Sequence, residues 1–272
     1  MEKLQILMAR RFIWRLGIEI CLVIVYWFLV IYSMATYKTK AIVLSSYPYR
    51  EHDRIVSFFS EEYGRIEMRA RGTRKIGSKL AGHIEPFIEV DALLARGRRW
   101  DILAGSRTML DRRVLRSSLD ARAAASICVE AVRLITKPLD PDRNMYRALS
   151  RALELLDANS CDHASVMHAF LWEALHCAGF APEISMCINC KTAHPDDTHF
   201  SCEGGGILCG SCRERDQRAI GVSLDDVRAI SMTSQISTAA RSVILSFWST
   251  VIDYTELRSL RVWQELTVGS SK

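Results

Sequence analysis

Four cysteines fall as two pairs, Cys187/Cys190 and Cys209/Cys212, with eighteen residues between the pairs. Each C-x2-C knuckle turns both of its sulfurs toward one point, and a spacer of this length brings the second knuckle over the first. Four thiolates so arranged close a tetrahedral site around one Zn2+ ion and leave no open position, so the expected metal is structural, not catalytic. Gly204-Gly205-Gly206, just before Ile207-Leu208-Cys209, supplies the chain reversal such a module needs. Cys202 reads as a spare thiol, and His194 and His199 in the spacer read as loop histidines.

The second chemistry is cationic. Arg65, Arg69 and Arg71 alternate along one strand-like stretch. The run Arg71-Gly72-Thr73-Arg74-Lys75-Ile76-Gly77-Ser78-Lys79 reads as a flexible basic loop able to follow a phosphate backbone, and Arg96, Arg98 and Arg99 crowd a hairpin tip. Such groups bind polyanions chiefly through counterion release, so affinity falls steeply with salt. Tyr47, Tyr49, Tyr63 and Trp100 are interleaved with them and are candidates for base stacking, worth about 1–3 kcal/mol per base. Core packing is the competing role for aromatics in strands.

Charge follows the same division. Net charge is +5, but residues 34–113 hold 16 Lys/Arg against 10 Asp/Glu, whereas residues 114–272 hold 16 against 19. A basic front on an acidic back suits a polyanion partner for the front. Catalytic patterns are missing: there is no Walker loop, nucleophile elbow or paired-carboxylate arrangement. His83-Ile84-Glu85 and Cys187-Ile188-Asn189-Cys190 mimic the two motifs of zinc deaminases. Met186 stands where a proline is expected, however, and the second cysteine pair fills the coordination sphere. The chain reads as a protein without catalytic chemistry.

These residues must be held by a scaffold. With 272 residues, 49% hydrophobic and 25% charged, the chain is globular and long enough for two modest cores. Strand-like stretches cover Thr39–Leu44 (ending at Pro48, expected to turn), Arg54–Ser60, Arg65–Arg71, Phe87–Leu94 and Trp100–Ala104, with a turn at Gly97. Five short strands in about seventy residues suit a small closed or partly closed barrel such as an OB-fold, with a generic sandwich as the alternative. From residue 113 the pattern turns helical: Ser118–Thr136, the stripe Tyr146/Leu149/Leu153/Leu156, the stripe Val166/Phe170/Ala174/Cys177, a helix opened by a Ser223–Asp226 capping box, Ser237–Tyr254, and Leu257–Leu266. The fold class is α+β multidomain: an N-terminal OB-fold β-barrel at 34–112, then an all-helical domain at 113–272 with an inserted four-cysteine zinc knuckle at 187–212. Grouped thiols of this kind persist in a reducing compartment.

Residues 1–33 form an apolar extension. Arg10, Arg11 and Arg15 precede an uninterrupted apolar run from Ile20 to Tyr32, which is short for a membrane span and closer to a signal peptide in length. The preferred reading is a mis-called start, with translation from Met34; a leader or anchor is the other.

Lys40-Ala41-Ile42-Val43-Leu44, then Tyr49-Arg50-Glu51-His52-Asp53-Arg54-Ile55-Val56, Tyr63-Gly64-Arg65 and Ala70-Arg71-Gly72-Thr73-Arg74-Lys75, resemble in order and spacing the start of the bacterial recombination mediator family RecO. The block Phe200–Cys212 looks like that family's zinc knuckle, and Leu257-Arg258-Ser259-Leu260 like its closing segment. The resemblance covers residues 35 to about 266. It implies a DNA repair protein that binds single- and double-stranded DNA and anneals complementary strands. It further implies work with RecR, contact with the C-terminal tail of single-stranded DNA-binding protein, and help in loading RecA, all in the cytoplasm on the nucleoid. Arg71, Arg74 and Lys75 match the family's basic segment. The rival readings are a membrane-anchored or exported zinc-containing interaction protein and an RNA-binding or transcriptional zinc protein.

Overall fold

Alternation decides the front of the molecule. In Gly64–Ala70 the side chains of Ile66, Met68 and Ala70 are buried, while Glu67 is exposed and Arg65 and Arg69 are half-buried. The computed structural model describes residues 36–193, 195, 197–230, 235–252 and 257–269. Within it, five strands line up as β1 (Thr36–Tyr49), β2 (Asp53–Ser60), β3 (Gly64–Ala70), β4 (Glu89–Ala95) and β5 (Asp101–Leu110). β1 pairs with β2 and β4, β2 with β3, and β4 with β5, all antiparallel; β3 and β5 run parallel. The ladders therefore form the circuit β1-β2-β3-β5-β4 and return to β1. Its seam is thin, since only Met68↔Asp101 and Arg69↔Ile102 pair between β3 and β5. Val43, Phe58, Met68, Val90 and Leu94 fill the interior, and Ile84 and Ile88 from the β3–β4 connection join the same core.

Two strands are longer than their sequence suggests. β1 runs through Pro48 to Tyr49, with Pro48 opposite Arg54, and the reversal falls at Arg50–His52 instead. β4 pairs with β1 only over Thr36–Ile42, so beyond that point one side of β1 carries no ladder among the described residues. A residue without an N–H is tolerated there. β5 extends past Ala104 to Leu110 because all of β4 lies beside it.

The helical part begins directly after β5. Its elements are α1 (Arg113–Ser117), α2 (Leu119–Ile135), α3 (Arg143–Ala158), α4 (His163–Cys177), α5 (Leu224–Ala229), α6 (Thr238–Val251) and α7 (Arg258–Gly269). Short polar side chains open most of them: Ser118, Asp142, Asp162, Ser223 and Ser237 each accept from a backbone N–H of the first turn. The expected Ser223–Asp226 pairing is present, with Asp226 N–H donating to Ser223 Oγ at 3.0 Å. One departure from an all-helical domain concerns the cysteine module, where β6 (Thr198–Ser201), β7 (Gly206–Cys209) and β8 (Ile220–Gly221) form a three-stranded sheet in the order β7-β6-β8. Strands of four, four and two residues are too short to show a period of two in sequence.

Barrel and helices share one core. Ile42, Leu44, Phe59 and Phe87 face outward from the barrel and pack into the cluster formed by α2, α3 and α4. Gly64, at φ +67°, lies so close to Asp140 that an added Cβ would sit 2.1 Å from its carbonyl oxygen. Beside it, Leu139 N–H donates to Arg65 O at 3.0 Å. Arg112, buried and left-handed at φ 47°, bolts the joint. It donates to Phe87 O (2.8 Å), Glu89 Oε2 (3.0 Å) and Ser150 Oγ (3.0 Å), linking β4 to α3.

Candidate nucleic-acid interface and metal centre

The basic loop leaves β3 at Arg71 and is anchored before it reaches its tip. Asp53, at the start of β2, accepts from Gly72 N–H (2.8 Å) and from Arg69 Nε (2.7 Å). Arg74 N–H donates to His52 O (3.0 Å), and its Nη1 to Arg50 O (3.0 Å). The Gly72 N–H holds the Asp53 carboxyl below its usual range against the opposing effect of burial, with the Arg69 guanidinium adding to the lowering. Arg71, Arg74, Lys75 and Lys79 remain exposed. Arg71 and Lys75 border a shallow cleft of about 510 Å³ with Arg50, Glu51, His52, Asp53 and Gly72.

An aromatic pair carries the next part of this face. Tyr49 and Trp100 meet edge to face with ring centroids 5.2 Å apart. Arg50 and Arg69 lie 5.3 and 5.7 Å from the Tyr49 ring centroid, and Arg99 lies 4.5 Å from that of Trp100. Arg96 sits over Tyr37 at 4.7 Å, and Arg98 is exposed at the hairpin tip. Gly97 is required in that hairpin, because a Cβ there would stand 1.9 Å from Trp100 O. The exposed cations and two half-buried aromatic faces thus share one end of the barrel, an arrangement able to hold phosphates and stack bases.

Several sequence candidates have other partners. Arg65 donates to Arg133 O (3.2 Å) at the joint with the helices, and burial draws its pKa down. Arg69 is ion-paired to Asp53 at 2.5 Å, so it positions the loop as well as facing Tyr49. Tyr47 accepts from Arg133 Nη1 at 2.8 Å, and Tyr63 packs on Tyr37. Conversely, Arg50, His52 and Asp53 carry weight that residue type alone did not reveal. Their signal lies in position: a β1–β2 turn brings them beside a loop some twenty residues later.

The four cysteines converge. The sulfurs of Cys187, Cys190, Cys209 and Cys212 all lie within 4.8 Å of one another, near the separation of about 3.8 Å that tetrahedral Zn–S bonds of 2.3 Å require. Cys187, Cys209 and Cys212 are buried and Cys190 is exposed. Gly204 and Gly206 permit the fold, since a Cβ at either would meet Ile188 at 2.5 or 2.6 Å. Donors point at the sulfurs: Cys209 N–H to Cys187 Sγ (3.4 Å) and Asn189 Nδ2 to Cys212 Sγ (3.1 Å). The Thr192 hydroxyl and N–H lower the Cys190 thiol to about 6, whereas Cys212, despite Asn189, is pushed up to about 11 by the neighbouring thiols. Ionising all four sulfurs at this distance demands a cation between them, and the donor set fits a soft divalent metal. These four cysteines can hold a metal ion. Cys202 is half-buried with a thiol raised to about 11, and His199 is buried in β6; neither belongs to the cluster.

Comparison with known proteins bears on both sites. Residues 34–107 match the family described as Recombination protein O N terminal, and residues 116–249 match Recombination protein O C terminal. The chain belongs to the RecO family. Curated relatives named DNA repair protein RecO agree: one from Cutibacterium acnes is 34% identical over 186 residues, covering 66% of this chain and 75% of its own. One from Dehalococcoides mccartyi (strain ATCC BAA-2266 / KCTC 15142 / 195) is 33% identical over 195 residues, covering 71% and 76%. One from Synechococcus is 31% identical over 232 residues, covering 79% and 81%. The RecO resemblance read from the sequence is thereby established, and a role in DNA repair and recombination with it. The N-terminal match spans β1 through most of β5, and the C-terminal match runs from α1 to α6 across the cysteine module. The apolar extension at 1–33 and His194 lie outside the described residues. Among those described, no helix is long and apolar enough to cross a membrane.

Proposed function

We propose that this chain binds single- and double-stranded DNA through the exposed end of its barrel and anneals complementary strands without catalytic chemistry. The observation that carries the reading is the continuity of the anchored loop, Arg71 to Lys79, with the Tyr49–Trp100 pair and its flanking arginines. The strand order β1-β2-β3-β5-β4 with a parallel β3–β5 seam supports an OB-fold, a barrel well suited to single strands. Within this reading Arg71, Arg74, Lys75 and Lys79 take the backbone, with Arg96, Arg98 and Arg99 extending the track across the hairpin. Arg65 and Arg69 stiffen the platform, and Tyr49 and Trp100 offer their faces to bases. Annealing brings two polyanions together, and a dense set of cations lowers that repulsion.

The cysteine cluster takes Zn2+ in this proposal, bracing the helical part. The partners are those of recombination mediators: RecR, the acidic tail of single-stranded DNA-binding protein, and RecA by way of the cleared strand, in the cytoplasm at the nucleoid. A cleft of about 1340 Å³ between the barrel and α3/α4 is lined in part by Phe170 and Trp172, with Arg147 and Arg151 set among Glu61, Glu89, Glu154 and Glu173, and its apolar part suits the aromatic end of such a tail. The decisive experiment is strand annealing with both strands coated by single-stranded DNA-binding protein. The chain should speed annealing, and Arg71→Ala/Arg74→Ala/Lys75→Ala should largely abolish the gain. No acceleration by the unaltered protein would refute the reading.

A further inference from the structure

Ile76 occupies the tip of the basic loop and is fully exposed. Single exposed apolar residues are ordinary on protein surfaces. This one is unusual for where and how firmly it is held. Lys75 N–H donates to Gly72 O (3.2 Å) and Ser78 N–H to Lys75 O (3.1 Å), so two successive turns fix the tip. The turns stand on a base already tied to Asp53 and His52. Gly77, at φ +81°, redirects the chain immediately after Ile76, and a Cβ added there would meet nothing within 4 Å. The tip therefore projects into open space. Arg74 and Lys75 precede it and Lys79 follows, all exposed.

A β-branched side chain has few rotamers and keeps its shape when exposed. It gains nothing from a phosphate. Flanked by cations that would follow the backbone, it would be left to face the bases. We infer that Ile76 is an apolar wedge that enters between adjacent bases of a bound strand while Arg74, Lys75 and Lys79 hold the phosphates around it. Side chains of this kind unstack base steps in other nucleic-acid complexes. On a single strand the effect would be to break base stacking and present bases one at a time for pairing. The inference rests on the DNA-binding reading above and adds to it a specific act on the bases.

The test uses the full chain and a single-stranded oligonucleotide with 2-aminopurine between adenines and a dye at one end. Dye anisotropy reports binding; 2-aminopurine brightens when base stacking is lost and dims when the base stacks on an indole. Saturating protein at low salt should brighten the probe by roughly twofold or more. Ile76→Ser should remove that rise while leaving the salt slope of binding unchanged, because no cation is lost. Ile76→Phe should keep it, and unchanged thermal midpoints would show both variants folded. A full rise with Ile76→Ser, or binding without any rise in the unaltered protein, overturns the wedge and leaves the DNA-binding reading intact. Flat anisotropy at low salt overturns the DNA-binding reading itself.

Discussion

The barrel and the cysteine module solve the same problem by opposite means. The barrel closes its ladders on themselves and fills its inside with aliphatic and aromatic side chains, so it needs no ligand to keep its shape. The module has strands of four, four and two residues and a small local cluster made of Leu208 and three of the four cysteines. Phe200 and Ile207, with the partly buried Ile220, tie its sheet to the helical core, Phe200 against Trp172 and Phe247 at 6.0 and 5.4 Å. Burial alone cannot hold so small a unit. On the zinc reading proposed above, the basic face would therefore be preformed and insensitive to metal, whereas the module would depend on it.

The strongest way to break this contrast is to remove a sulfur. Cys209→Ser should release about one zinc per chain and unfold the module, costing several kcal/mol or more. Thermal unfolding and metal analysis would measure this, while oligonucleotide affinity at fixed salt should stay within about threefold. Equal loss of both would show that the two regions are coupled. Next in size is the joint. Arg112→Ala strands the mostly buried Glu89 carboxylate, and breaking such a pair costs about 3–5 kcal/mol in denaturant titration. A smaller effect is expected at the loop's anchor. Asp53→Asn keeps an acceptor for Gly72 but loses the charge facing Arg69, a change of about 1–2 kcal/mol.

The same anchor fixes a pH dependence. The folded-state pKa of Asp53 is depressed, so its contribution is complete above the unfolded carboxylate value of about 3.9 and fades as pH falls through the lower folded value. Hydrogen exchange at the Gly72 amide should accelerate, relative to the barrel core, only on that acid side. Smallest on stability is Arg71→Ala/Arg74→Ala/Lys75→Ala, within about 1 kcal/mol because all three are exposed and the Arg74–Arg50 hydrogen bond it removes lies at the surface. Its signature is in binding, where the slope of log affinity against log salt should flatten by about 2.

Much of this was legible in the residues. The Cys187/Cys190 and Cys209/Cys212 spacing foretold a convergent cluster, and the alternation around Ile66, Met68 and Ala70 gave β3 its inward face. The helix starts at Ser118 and Ser223 were written in their short polar side chains. The failures share a cause, which is that sequence reads local preference and not partners. Pro48 looked like a stop because proline lacks a donor, yet among the described residues no second strand pairs with that end of β1 beyond Ile42. The module's strands were invisible because each is too brief for alternation. Arg65 looked like one more free cation until Pro138 and Leu139 came to lie beside it. Asp53 gave no sign of being the loop's anchor, since its partners come from β3 and the turn beyond it.

The approach of Gly64 to Asp140 has a mechanical consequence. Backbone touches backbone there, with no side chain between to act as a cushion, and Arg65 and Leu139 lock the adjoining step. A strand gripped at one end of the molecule and a protein seated on the helices would consequently be kept at a set distance and angle, as by the jaws of a caliper. If, as proposed above, the chain works between DNA and protein partners, exchange would then proceed at fixed stations, without the two halves swinging apart.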